Sequence, residues 1–425
     1  MTGAARWLAC LLALLWAAAA TAAEPSPDFT ARANELVRLL NGETAPQTFF
    51  SPAFLAHVPP EKFKAVAEQL KSSYGPARKM IRIEARNPAS GMVFVLFERA
   101  IVRFQMAVAA QAPHPVEGMI VAGVEASAAD LPALFGEIVG LPGEVSLAAA
   151  RLEDSGPVNF LTQKAERPLA IGSAFKLFVL AELAREVKAG ERRWSDVVPL
   201  GEPSLPSGLL QDWPKASPIT LHSLAALMIS MSDNSATDTL LAVVGRDKVE
   251  QLLPALGVQA PERDRPFLST RDAFALKLGD PALLERWKAA DEAGRRALLP
   301  QLERVGASTL DPARLGGRPA EIASVEWFAS PADLVRTLDW LRRNGDRTAL
   351  DLLAINPGLG PALAKDFDYF GFKGGSEPGV LNLSFLLKSR SGRWMAVSAT
   401  WNNPAEPLDE AHFISLMSRL ISLMK

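Results

Sequence analysis

The chain has 425 residues, 48% hydrophobic and 22% charged, which is the composition of a globular protein and not of a disordered or fibrous one. That length favours two domains. A formal net charge of −2 offers no basic surface for nucleic acid. The four histidines, His57, His114, His222 and His412, do not cluster with carboxylates or cysteine, so neither a metal nor any other cofactor is expected.

The opening stretch MTGAARWLACLLALLWAAAATAA is predicted to be a signal peptide over residues 1–23. Arg6 supplies the positive end and Leu8 to Ala20 the apolar core. Ala20-Thr21-Ala22 or Thr21-Ala22-Ala23 supplies the small-residue cleavage site. The apolar run is short for a membrane span, so no stable membrane anchor is expected after cleavage. Cys10, the single cysteine, lies in this leader, and the processed chain would hold no disulfide. The expected location is periplasmic or secreted.

After the leader, residues 28–42 and 60–72 read as amphipathic helices. RKMIRIEAR, MVFVLFERA, IVRFQMAVA and GMIVAGVE follow as strands. Helices followed by an antiparallel sheet predict a small α+β domain over 24–143. It contains no ionisable pair in an obvious catalytic arrangement, and a role in packing or recognition is expected.

Leu141-Pro142-Gly143 marks the expected junction with a second domain, 144–425. VSLAAARLE and VNFLTQKA predict a hairpin. The next segment, SAFKLFVLAELAREV from Ser173, places Phe175, Phe178, Leu180 and Leu183 at helical spacings. Three residues is nearly one turn, so Lys176 lies over Ser173 on one face. A serine hydroxyl becomes a nucleophile when a base takes its proton. Lys176 fits that part if burial and a neighbouring cation lower its pKa. A helix N-terminus also offers a free N–H for a developing oxyanion. In isolation, the same residues read as a capping serine and a solvated lysine.

Ser232-Asp233-Asn234 lies between two apolar helical stretches, 221–230 and 236–245, and reads as a helix–helix loop. Its bland reading is a helix cap. Its functional reading makes Ser232 a proton relay, Asn234 a partner for a substrate amide and Asp233 a buried brace. Residues 262–330 read as an enlarged, mostly helical segment. FGFKGGSEPGVLNLSFLLKSR and RWMAVSATW then predict strands joined by tight turns. Lys373 on an edge strand would face a substrate carboxylate with positive charge. Gly374 and Gly375 would let a ligand approach the backbone closely, and the Ser376 N–H is a candidate second oxyanion donor. The last helix, 408–425, carries the apolar stripe Phe413, Leu416, Met417, Leu420 and Met424.

Three motifs thus fall in one order: Ser173-Ala174-Phe175-Lys176, Ser232-Asp233-Asn234 and Lys373-Gly374-Gly375. They match S-x-x-K, S-D-N and a variant of K-[ST]-G. Together with IGSAFKLFVLAEL, SGLLQDWP and FLSTRDAFALK, they make the stretch from Val145 to Lys425 resemble class A β-lactamases and penicillin-binding relatives. Within that group, the chain is similar to β-lactamase-related serine hydrolases such as those of clavulanic acid clusters. These often carry an N-terminal domain of the steroid-isomerase (nuclear-transport-factor) type. The resemblance implies an α+β fold with an antiparallel sheet, flanking helices and a helical lobe.

It also implies an acyl-enzyme mechanism on a small-molecule β-lactam, ester or peptidoglycan-like peptide, with Ser173, Lys176, Ser232 and Lys373 catalytic. Asn234, Gly374, Gly375 and Ser376 would bind substrate. Two departures qualify this. Most relatives carry Ser or Thr at position 374, where the hydroxyl grips the substrate carboxylate. No E-x-x-L-N deacylation motif occurs between Val244 and Leu276; Glu250 reads as helical, and Glu262 lacks the Leu-Asn that should follow. Slow deacylation is therefore expected, and esterase or peptidase activity, stable acylation and non-catalytic ligand binding remain open.

Overall fold

The computed structural model describes residues 24–125, 131–205, 207–306, 309–311, 313 and 316–425; the expected leader, with Cys10, lies outside them. The chain divides into two compact units between Ala122 and Gly123.

In the first unit, Ser26 caps the helix Pro27–Leu40 by accepting from Phe29 N at 3.0 Å, and Pro27 sits at the first helical position, where no N–H is needed. This helix buries Phe29, Ala33, Leu36, Leu39 and Leu40, and it packs on the strand Ala77–Asn87. A second long helix, Pro60–Tyr74, buries Phe63, Ala67 and Leu70. Strands Ala77–Asn87, Ser90–Phe97, Ile101–Val108 and Val116–Glu125 form one sheet in chain order. The first three are antiparallel. Val93 and Val95 on one strand, and Val102, Phe104 and Met106 on the next, are buried, as the two-residue strand period requires. Helices followed by an antiparallel sheet is the order expected from the sequence.

The second unit is built on a five-stranded sheet. Its spatial order is Phe367–Glu377, Val380–Ser389, Trp394–Asn402, Glu144–Glu153 and Gly156–Gln163, every neighbour antiparallel. The strand Val380–Ser389 is buried along almost its whole length because both faces are covered. Leu381, Leu383, Phe385 and Leu387 meet Phe413, Leu416, Met417 and Leu420 of the helix Glu410–Ser422. Truncating the fully buried Phe413 to alanine would cost about 3–5 kcal/mol. The helix Leu131–Val139, absent from the sequence reading, joins this layer through Leu134 and Ile138. Its Glu137 pairs with the buried Arg419 at 3.0 Å, and the expected junction at 141–143 lies after it.

The other face of the sheet carries the helices Lys176–Lys188 and Pro331–Asn344. Beyond them lies a lobe containing Leu221–Ser230, Asn234–Val244 and Arg246–Leu252. The long interval before residue 330 supplies Thr270–Leu278, Pro281–Ala289 and Glu292–Glu303. Phe367–Glu377 is an edge strand of the sheet, and this leaves Lys373 beside the helical lobe. Among the described residues, no helix is long and apolar enough to cross a membrane.

Candidate active site

Ser173 stands in a tight 3₁₀ turn, Gly172–Phe175, that runs directly into the helix Lys176–Lys188. Two contacts fix the turn from below. Ile171 N donates to Trp327 O at 3.0 Å, and the Phe175 ring stacks on Trp327 with centroids 3.7 Å apart. From the side, the turn meets Gly375 on the edge strand. A Cβ on Gly375 would lie 2.2 Å from Ile171 O and 2.4 Å from Ser173 N, so no side chain fits there. Gly172 has φ +48°, and a Cβ on it would lie 3.2 Å from Ser376 N. The backbone nitrogens of Ser173 and Ser376 therefore flank one close backbone contact, an arrangement that suits two donors to one oxyanion.

Two buried lysines converge on Ser232. Lys176 Nζ donates to Ser232 Oγ at 3.1 Å and to Ser232 O at 2.6 Å. Lys373 Nζ donates to the same Oγ at 3.1 Å and to Gly374 O at 2.5 Å. Ser232 adopts φ +57°, a conformation that costs a residue with a Cβ about 1–2 kcal/mol and that is held where the surroundings over-determine it. Burial, reinforced by the charge of Lys373, holds Lys176 well below the usual lysine range, although Asp238 and Asp233 oppose the shift. Burial brings Lys373 down to about 7. Lys373 is thus placed to exchange protons near neutral pH, and Lys176 to do so below the usual lysine range.

Asp233 has the bracing part expected of it. Its carboxylate accepts from Leu209 N at 2.6 Å, Leu210 N at 2.9 Å and Ala236 N at 2.8 Å, which ties the 208–212 loop to the start of the helix Asn234–Val244. Asn234 lies in the cleft wall, but both ends of its amide are engaged. Oδ1 accepts from Lys176 Nζ at 2.7 Å, and Nδ2 donates to Leu205 O at 2.9 Å. Asn234 thus orients Lys176 through Oδ1, while Nδ2, which carries two hydrogens, gives one of them to Leu205 O.

The departure at position 374 has a physical counterpart. A Cβ on Gly374 would lie 2.8 Å from Phe372 Cζ and 2.9 Å from Asn382 O, so the Phe372 ring occupies the space of the missing side chain. Ser376, the next hydroxyl along the strand, is exposed at the cleft rim.

Ser173, Ser232, Asn234, Lys373, Gly374, Gly375 and Ser376 all line one cleft of about 570 Å³. Lys176 lies beneath it, completely buried. Trp213, in the SGLLQDWP stretch, is not among the lining residues. The two glutamates of the scanned interval are elsewhere. Glu250 is buried, where it accepts from Phe267 N at 2.8 Å and pairs with Arg296, and Glu262 is exposed on a short turn. The sequence reading did not identify Lys277, Glu326 and Glu377, which also line the cleft. No local motif links them; they are brought together only by the fold. Among the described residues, no group of three or more His, Cys, Asp or Glu could hold a metal ion.

The sequence profile of the beta-lactamase enzyme family matches residues 135–422, which contain all three motifs. Solved structures similar to this chain include the beta-lactamase from Sphaerobacter thermophilus, 20% identical, covering 70% of this chain and 96% of that one, with a TM-score of 0.49. A beta-lactamase from Chitinophaga pinensis is 16% identical and covers 70% and 97% of the two chains, with a TM-score of 0.47. The one from Francisella tularensis is 14% identical and covers 69% and 98%, with a TM-score of 0.47. No curated protein matches the chain.

Proposed function

The chain belongs to the beta-lactamase enzyme family, and on that premise we propose that it is an exported serine hydrolase acting through an acyl-enzyme on β-lactams or related amides and esters. The observation that carries this reading is the convergence of Lys176 and Lys373 on Ser232 Oγ, each at 3.1 Å, in the cleft that Ser173 lines.

Ser173 Oγ attacks the carbonyl carbon, and its proton passes to neutral Lys176. Ser232, between the two lysines, carries a proton onward to the leaving nitrogen or oxygen, so the C–N or C–O bond breaks as the acyl–Oγ bond becomes permanent. The N–H groups of Ser173 and Ser376 hold the oxyanion; losing one such donor typically costs about 10²–10³ in rate. Phe372 in place of a hydroxyl at 374 favours esters and amides that do not need a carboxylate clamp, and it supports esterase or peptidase activity as the second reading.

Export is proposed from residues 1–23 alone and is testable by N-terminal sequencing of the protein recovered from the periplasm or medium. A steroid-isomerase-like fold for the first unit is supported by helices packed on a sheet of four strands in chain order; a solved structure of that unit tests it.

The mechanism is tested by following intact-protein mass after mixing the processed protein with benzylpenicillin, a cephalosporin and a short p-nitrophenyl ester. A Ser173-dependent adduct or product is expected. Ligand binding that leaves every substrate intact would favour a non-catalytic protein.

A further inference from the structure

Lys277, Glu326 and Glu377 come from a helix, a loop and the edge strand, yet they meet in the wall of the cleft. Lys277 Nζ donates to Glu326 Oε1 and to Glu377 Oε1, each at 2.6 Å. Lys277 and Glu326 are each 2% exposed at the side chain. Two carboxylates on one ammonium, away from water, are one negative charge too many. Glu326 Oε2 is buried and accepts from no N–H or ammonium donor, and burial, with the neighbouring charge of Glu326, raises Glu377 well above the usual carboxylate range.

The position of this pair relative to Ser173 is fixed from two sides. Glu377 is two residues beyond Gly375 on the same strand, hence on the same face and roughly 6–7 Å further along. Gly375 is the residue whose backbone abuts Ser173 N. Glu326 precedes Trp327, whose carbonyl and ring hold the Ser173 turn. The carboxyl pair therefore lies beside the nucleophile, in the wall of the same cleft. A stability role explains it poorly, since a buried ion triad is often replaceable by apolar residues at no loss.

We propose that Glu326 and Glu377, held together by Lys277, are the base that activates water against the Ser173 acyl-enzyme. This rests on the acyl-enzyme reading above. The pair takes one proton from a water as its oxygen bonds to the acyl carbon. The acyl–Oγ bond then breaks, and the proton that the glutamates took from the water passes by way of Lys176 to Ser173 Oγ. The product leaves as a carboxylic acid, and Lys176 and the glutamates return to their starting states. Water activation thereby passes to glutamates outside the interval scanned for a deacylation motif, and deacylation is not slow. Lys277 is a positioning residue, because its ammonium holds one oxygen of each carboxyl group at 2.6 Å.

The test compares acylation and adduct decay by intact mass in the parent, Glu326→Gln, and the pair Lys277→Met with Glu326→Gln, using benzylpenicillin and a p-nitrophenyl ester. The paired variant removes both charges together and keeps the test alive if the single variant does not fold. The expected result is an unchanged acylation rate with an adduct that lasts about 10²-fold longer or more, and that hydroxylamine still releases. Equal adduct lifetimes in parent and folded variants would overturn the base assignment and leave the acyl-enzyme standing. Loss of acylation in folded variants would overturn it as well. Absence of both adduct and product in the parent would overturn the acyl-enzyme reading, and the base with it.

Discussion

The Phe372 ring fills the space that a side chain at position 374 would need, since a Cβ on Gly374 would lie 2.8 Å from Phe372 Cζ. The two residues form a matched pair: a large side chain at 372 compels glycine at 374. Changing either alone breaks the match.

Gly374→Thr alone overpacks the strand, at a cost of about 1–3 kcal/mol, and is expected to lower both thermal stability and acylation by penicillin. Combining it with Phe372→Ala removes the ring contact, leaving only the approach to Asn382 O, and restores a hydroxyl where a substrate carboxylate would lie. The double variant is expected to acylate with benzylpenicillin faster than the parent, while turnover of an uncharged ester does not improve. Second-order acylation rates and melting temperatures check both statements; a double variant slower than Gly374→Thr would refute them.

Ser232 combines a chemical and a conformational demand. Ser232→Ala and Ser232→Gly both remove the hydroxyl between the lysines, and each is expected to slow acylation by about 10²-fold or more. They should differ in stability. At φ +57° alanine retains the strain and glycine relieves it, so Ser232→Gly should be about 1 kcal/mol more stable than Ser232→Ala, as denaturant unfolding would show.

Gly375→Ala would drive a methyl group into Ile171 O and Ser173 N. Because the same contact sets the spacing of the two oxyanion donors, acylation should fall by about 10²-fold and the melting temperature should drop. An alanine variant with parental activity would mean that this backbone contact does not shape the oxyanion site.

The buried lysines give a pH signature. Lys373 has a folded pKa of about 7, below the roughly 10.4 of an unfolded lysine. Between these values the unfolded chain binds more protons, so stability rises with pH. The penalty for burying the charge is full below pH 7 and fades as pH climbs towards the unfolded value. Lys176 shifts in the same direction. Lys373→Met is therefore expected to flatten the rise in unfolding free energy between pH 7 and 9, measured by urea denaturation. Acylation by the parent should increase with pH as Lys176 loses its proton, along a limb well below pH 10.5.

Local chemistry was legible in the sequence; convergence was not. The Ser173 turn, its helix and Lys176 fall within four residues, and the order of the three motifs carried the family. The alternating runs around Lys373 gave the edge strand, and the stripe ending at Met424 gave the helix that covers the sheet. Leu131–Val139 is not legible in the sequence because LPALFGEIV holds Pro and Gly within nine residues and buries only Leu134 and Ile138, too short a stripe to show a helical period. Asn234 is expected from its motif to contact substrate, but what orients its amide, Leu205 and Lys176, comes from other segments. Lys277, Glu326 and Glu377 were invisible for the same reason. Their pairings span 49 and 100 residues, and a search for a base between Val244 and Leu276 passes them by.

The central claim is that Ser173 becomes acylated. Its most direct test is peptide mapping after incubation with a fluorescent penicillin and, separately, a chromogenic ester, in the parent and in Ser173→Ala. The account predicts a label on the peptide containing Ser173 in the parent, captured most readily with Glu326→Gln in the same chain, and no label in Ser173→Ala. Equal labelling of Ser173→Ala, or a label mapped to another residue, would contradict it.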